Sequence, residues 1–120
     1  MKLRIHKNSI RLRLSQREVD EISQGNPIHE LVEMGGPGSQ DFGYHLVPTD
    51  GSEEIYAVYA ENQLKIFFPL HQATDWAQSE TVSVITPSES KLAILIEKDF
   101  QCLHERPGED ESNNFPNPSA

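Results

Sequence analysis

The sequence predicts an α+β fold: a small antiparallel barrel-like sheet with two short helices, built from two strand-helix-strand-strand halves. Three observations predict it. Apolar and basic residues alternate with period two from Lys2 to Leu14. A capping box, "SQRE" at 15–18, follows directly. The same succession of residue classes then returns with Leu64 in the place of Ile10, an offset of 64 − 10 = 54 residues.

In the first strand region Leu3, Ile5, Ile10, Leu12 and Leu14 form one phase and Lys2, Arg4, Arg11 and Arg13 the other, with "HKNS" at 6–9 as a turn or bulge. Ser15 can accept from the Glu18 amide while the Glu18 carboxylate reaches back to the Ser15 N–H, so a helix begins here. Leu14 and Val19 stand at the staple positions, Val19 and Ile22 share a face, and Gly25 with Pro27 ends the helix. Apolar stretches at 28–34 and 42–47 flank "GGPGSQD", a loop by its glycines and proline. "PTDG" at 48–51 is turn chemistry, after which "EIYAVYA" and "QLKIFFP" flank Glu61-Asn62 as a hairpin. Leu70, Ala73, Trp76 and Ala77 have helical spacing, and "TVSVIT" and "LAILIEK" close the chain as two strands around "PSES".

The offset pairs Ile10 with Leu64, Leu12 with Ile66, Leu14 with Phe68, Val19 with Ala73, Ile22 with Trp76 and Ile28 with Val82. Two such halves, about 1–48 and 62–98, are expected to share one core about a pseudo-twofold axis. A single α+β domain is expected over 1–102, followed by an acidic, proline-containing tail at 103–120.

A chain of 120 residues with 36% hydrophobic content has material for one core. Nineteen acids against ten bases give a net charge of −9, which opposes nonspecific binding to nucleic acid and membrane headgroups. The charge is unevenly spread: Lys2, Arg4, Lys7, Arg11, Arg13 and Arg17 precede the first acid. One cysteine cannot form an internal disulfide, no apolar leader opens the chain, and "LAILI" is far short of the roughly 20 residues a membrane span needs. A cytoplasmic protein without a membrane association is the expectation.

The stretch "NQLKIFFPLHQATDWAQSETVSVITPSESKLAILIEK" at 62–98 resembles the swapped-hairpin barrel unit of AbrB-type regulators and addiction-module antitoxins, in which an apolar strand leads into a short helix and a hairpin. That resemblance implies DNA binding. The basic face needed by a symmetric DNA reader is not repeated, however, since Arg11, Arg13 and Arg17 fall on Lys65, Phe67 and His71. "NSIRLRLSQREVD" at 8–20, "KDFQCL" at 98–103 and "EDESNNFPNP" at 109–118 resemble a group of short uncharacterised bacterial proteins over nearly the whole length. This second resemblance is the closer and implies no activity.

Cys102 and His104, two apart on a continuing strand, could share a face with Asp99 or Glu105, yet a structural zinc site gathers four ligands and the other histidines are scattered. The simpler expectation is that Cys102 packs as a small apolar residue. His71 and Asp75 stand at i, i+4, commonly a solvated helix face, and "GGPGS" at 35–39 lacks the lysine of a phosphate loop. No catalytic residue and no cofactor is assigned. The stripe of Lys2, Arg4, Arg11 and Arg13, with Arg17, is the candidate binding face, and like charges so placed demand carboxylates nearby. These are expected from neighbouring strands or from Glu109, Asp110 and Glu111 of the tail, with Phe115 as an apolar anchor. The expectation is a noncatalytic module that binds another protein; a DNA-binding regulator using the arginines is the alternative, and a metal or cysteine enzyme the third reading.

Overall fold

The computed structural model describes residues 1–100. The order is β1 (Lys2–His6), β2 (Ser9–Leu14), α1 (Gln16–Ser23), β3 (Ile28–Val32), β4 (Phe42–Thr49), β5 (Tyr56–Ala60), β6 (Gln63–Pro69), α2 (Leu70–Gln78), β7 (Ser83–Ile85) and β8 (Ala93–Lys98). Each half is therefore hairpin, helix, hairpin, one strand longer at its start than the sequence pattern suggests. The second half opens at Tyr56, because β5 belongs to it as β1 belongs to the first.

The α+β class and both helices are as expected; the single antiparallel barrel-like sheet is corrected. Two separate four-stranded mixed sheets form, sheet A in the order β1-β2-β8-β7 and sheet B in the order β3-β4-β6-β5. Each sheet takes one hairpin from each half. The hairpins are internally antiparallel, but where they meet β2 runs parallel to β8 and β4 runs parallel to β6. Alternation of residue classes shows which face of a strand is buried and is silent about the direction of its neighbour. Because neither sheet closes on itself, β1, β7, β3 and β5 remain as edges.

Local chemistry sets the elements. The Ser15 hydroxyl accepts from the Glu18 amide at 3.3 Å and Glu18 Oε1 accepts from the Ser15 N–H at 2.9 Å, so the capping box is complete. Leu14 and Val19 are both buried beside it. Gly25, at φ +90°, supplies the left-handed turn that ends α1. Glu61 and Asn62 have φ of 54° and 66°, the conformation a two-residue hairpin of matching twist requires. The two turn asparagines also tie the hairpins together: the Asn8 carbonyl accepts from the Ala93 N–H and the Asn62 carbonyl from the Gly43 N–H. Asn8 Nδ2 donates to the Lys91 carbonyl, and Asn62 Nδ2 donates to Gln40 Oε1.

The core is made by the inner phases of both sheets with one face of each helix. Ile10, Leu12 and Leu14 of β2 and Leu64, Ile66 and Phe68 of β6 are buried, as are Val19, Ile22, Ala73 and Trp76 of the helices. Leu46, Ile94 and Ile96 complete it, and the two helices pack on one another. All ten residues of the first five offset pairs are buried. In the sixth pair Ile28 is half-buried opposite Leu46, whereas Val82 is exposed and its backbone is what the structure uses, the carbonyl accepting from Trp76 Nε1 at 3.1 Å and from the Lys98 N–H. The tail assignments Cys102, His104, Glu109, Asp110, Glu111 and Phe115 lie outside the described residues.

Candidate interaction surfaces

The outer face of sheet A collects four of the predicted basic residues. The register sets Lys2 beside Arg13 and Arg4 beside Arg11, all in the phase opposite the core residues Leu12 and Leu14. Arg17 is not on this face, since it stands on α1. The demanded carboxylates come from β8 and its end. Glu97, opposite Arg13, lies 3.6 Å from Arg13 Nε and 3.7 Å from Arg11 Nε, and Asp99 lies 3.0 Å from Lys2 Nζ. One half-buried carboxylate shared by two half-exposed guanidinium groups contributes little stability, but it removes much of the field a phosphate backbone would feel. Arg4 and Arg17 have no carboxylate within 4.0 Å among the described residues.

Beneath one end of this face lies a cluster that the sequence pattern does not reveal. The α-amino group of Met1 pairs with Glu18 Oε2 and, at 3.2 Å, with Glu30 Oε2, while the Tyr44 hydroxyl donates to the Met1 carbonyl at 3.1 Å. Burial opposes the charge on the amine, but hydrogen bonds and attraction from Glu18 and Glu30 outweigh it and raise its pKa above 8.0. Burial likewise pushes Glu18 up, and the amine with the Ser15 N–H overcomes that and lowers it below 4.5. Burial, then the charges of Glu30 and Glu18, raise Tyr44. Glu18 thus serves both the capping box and the terminus.

The outer face of sheet B is of another kind. Register places His29 and Leu31 of β3, Gly43, His45 and Val47 of β4, Gln63, Lys65 and Phe67 of β6, and Tyr56, Val58 and Ala60 of β5 on one side, opposite Leu46, Leu64 and Ile66. Leu31 is 56% exposed, Tyr56 43% and Val58 45%. The Tyr56 ring stacks on Phe67 at 4.9 Å and 18°, and His29 stacks on His45 at 5.5 Å and 25°. His45 Nε2 donates to Gln63 Oε1 at 2.6 Å. The Gln63 side chain crosses Gly43 so closely that an added Cβ there would lie 2.2 Å from Oε1, and a larger residue at 43 would displace the Gln63 amide. Not one outward position of this sheet is an acid, and Lys65 is its one lysine or arginine.

This face was missed by sequence reasoning, though a signal exists: Phe67 within "QLKIFFP" and Tyr56 and Val58 within "EIYAVYA" are apolar in the phase opposite the core. The other sequence candidates are not assembled into sites. His71 and Asp75 are both exposed on α2, the "GGPGS" loop is exposed throughout, and no three metal-ligating side chains come together among the described residues. A cleft of about 530 Å³ is lined in part by Glu53, Glu54, Thr86 and Lys91. The buried Thr86 hydroxyl there is satisfied, accepting from the Ile94 N–H at 3.1 Å and donating to the Leu92 carbonyl at 3.4 Å. In the described residues no helix is long and apolar enough to cross a membrane.

These features define an α+β protein with two mixed four-stranded sheets, one with a charged outer face and the other with an apolar one. The chain belongs to the DUF7009 family, a family of unknown function, whose pattern it matches over residues 1–119. No curated protein and no solved structure matches it.

Proposed function

We propose that this protein is a noncatalytic binding module that recognises another protein through the outer face of sheet B. The observation that supports this reading is an exposed face rich in Leu, Val, Phe and Tyr, free of carboxylates, in a chain of net charge −9. An apolar sheet face left uncovered is what a protein interface uses, and aromatic residues with a small number of polar anchors supply most of such binding energy. Lys65, flanked by Val58 and His45, selects a partner whose apolar patch carries a carboxylate. The basic face of sheet A is a weaker candidate, because Glu97 and Asp99 already occupy three of its four cations, Lys2, Arg11 and Arg13.

Affinity capture from the native cell, followed by titration of the purified partner, tests this. Leu31→Asp and Lys65→Glu are each expected to weaken the partner roughly tenfold or more, while Arg4→Glu on sheet A leaves it unchanged. Equal retention by all three variants, or loss confined to Arg4→Glu, would overturn the assignment.

A further inference from the structure

Four strands stand at sheet edges, and they are guarded very unequally. An edge exposes backbone N–H and C=O groups to any passing strand, and folded chains protect such edges with charge, proline, bulges or brevity. β7 has three residues. β1, β3 and β5 have five each, so a copy of each pairing antiparallel with itself would set its central residue against its own twin. On β1 that residue is Arg4 and on β3 it is Glu30, and like charges directly opposite repel. On β5 it is Val58. The strand "YAVYA" holds no charge, no proline and no glycine.

Its sequence also fits itself. Centred on Val58, the antiparallel pairing places Tyr56 opposite Ala60 and Ala57 opposite Tyr59, a large side chain facing a small one at each position on both faces. The hydrogen bonding agrees with this register. The two-residue turn at Glu61-Asn62 makes Ala60 and Gln63 a hydrogen-bonded pair, so Tyr56, Val58 and Ala60 turn their amides towards β6 and Ala57 and Tyr59 turn theirs to the open edge. Those outward amides have no partner among the described residues. They are the groups that stand opposite one another in the self-pairing, which therefore satisfies both residues in both chains.

We propose that two copies of this chain associate through β5, joining their B sheets edge to edge about a twofold axis at Val58. The interface is isologous and closed, so it stops at two. The inference rests on the backbone edge and stands independently of the partner reading above. Five residues a side, by themselves, fall short of the roughly 1,200–2,000 Å² that stable complexes bury, so the dimer is reversible and depends on concentration. Joining the sheets also makes one continuous outer face from the two apolar faces.

Sedimentation of the full chain over a concentration series should show the mass rising from 13.6 kDa towards twice that value. Val58→Arg, which reproduces at β5 the guard that β1 has in Arg4, should abolish the rise with an unchanged circular dichroism spectrum. Val58→Glu should do the same, and an equimolar mixture of the two variants should regain the dimer. Val58→Cys in a Cys102→Ser background should cross-link on oxidation, because Val58 meets its twin in the close, non-hydrogen-bonded type of pair. A native chain that stays at one copy at every concentration, a Val58→Arg variant that associates like the native chain, or a mixture of opposite charges that stays monomeric would each overturn the proposal.

Discussion

Replacing Trp76 by alanine should lower the unfolding free energy by about 3–5 kcal/mol, the range for truncating a buried large aromatic. The side chain is 3% exposed, tilted at 56° against Phe68 with ring centroids 5.6 Å apart, and its Nε1 donates to the Val82 carbonyl at 3.1 Å. Lys98 Nζ lies 5.5 Å from the ring centre. Trp76 consequently joins α2 to the segment entering β7 and to the end of β8, and alanine would leave a cavity among all three and take from the Val82 carbonyl one of its two donors, the Lys98 N–H remaining. Urea unfolding should show a lower midpoint at unchanged slope. Trp76→Phe, which keeps the ring packing and loses the indole donor, should recover more than half of the loss. A decrease below about 1 kcal/mol in the alanine variant would mean that the helix is not seated as described.

The second large effect is expected at Glu18. Glu18→Ala removes one arm of the capping box and the nearer partner of the Met1 amine, and should cost about 2 kcal/mol or more. Its pH dependence has a defined sign. The amine's folded pKa is raised, so its contribution is complete below 8.0 and fades as pH rises through the higher folded value. Glu18's folded pKa is lowered, so its contribution is complete above 4.5 and fades as pH falls through the lower folded value. Unfolding measured against pH should therefore show a plateau between these limits. Acetylation of the amine should remove the amine's share of the alkaline decline, leaving that of Tyr44, and Glu18→Gln should diminish the acid decline. A native chain whose stability followed pH identically to the acetylated form would show that the cluster does not form in solution.

How far the sequence could be read depended on how local the determining interaction was. The Ser15–Glu18 box, the Glu61-Asn62 hairpin and the buried phase of β2 and β6 are set by residues within one turn or one strand, and all were legible. The burial of Ile10 and of Leu64 was legible for the same reason, each being fixed by the alternation within its own strand. The failure at Val82 marks the limit, since a backbone carbonyl wanted by Trp76 outweighed the alignment of an apolar side chain. Strand partners were not legible, because the pairing of Ser9 with Ala93 joins residues 84 apart in the chain and nothing local records it. From that one gap came the single barrel-like sheet in place of two mixed ones. The basic stripe was found and its neutralisation by neighbouring carboxylates anticipated, though Glu97 could be named only once β8 lay beside β2. The apolar face of sheet B escaped because Leu31, Val47 and Phe67 come from strands whose order no periodicity encodes.

The exchange of hairpins between halves has a consequence for how the molecule is born. On the ribosome, β1 and β2 emerge first, yet the strand that β2 must lie beside is made last, so sheet A cannot assemble until synthesis of the described region is complete. The N-terminal hairpin has to wait, shielded only by its own arginines and lysines. By the same logic, a protease cut between β4 and β5 would separate the molecule into two pieces that each own half of both sheets, and neither piece could keep its shape without the other.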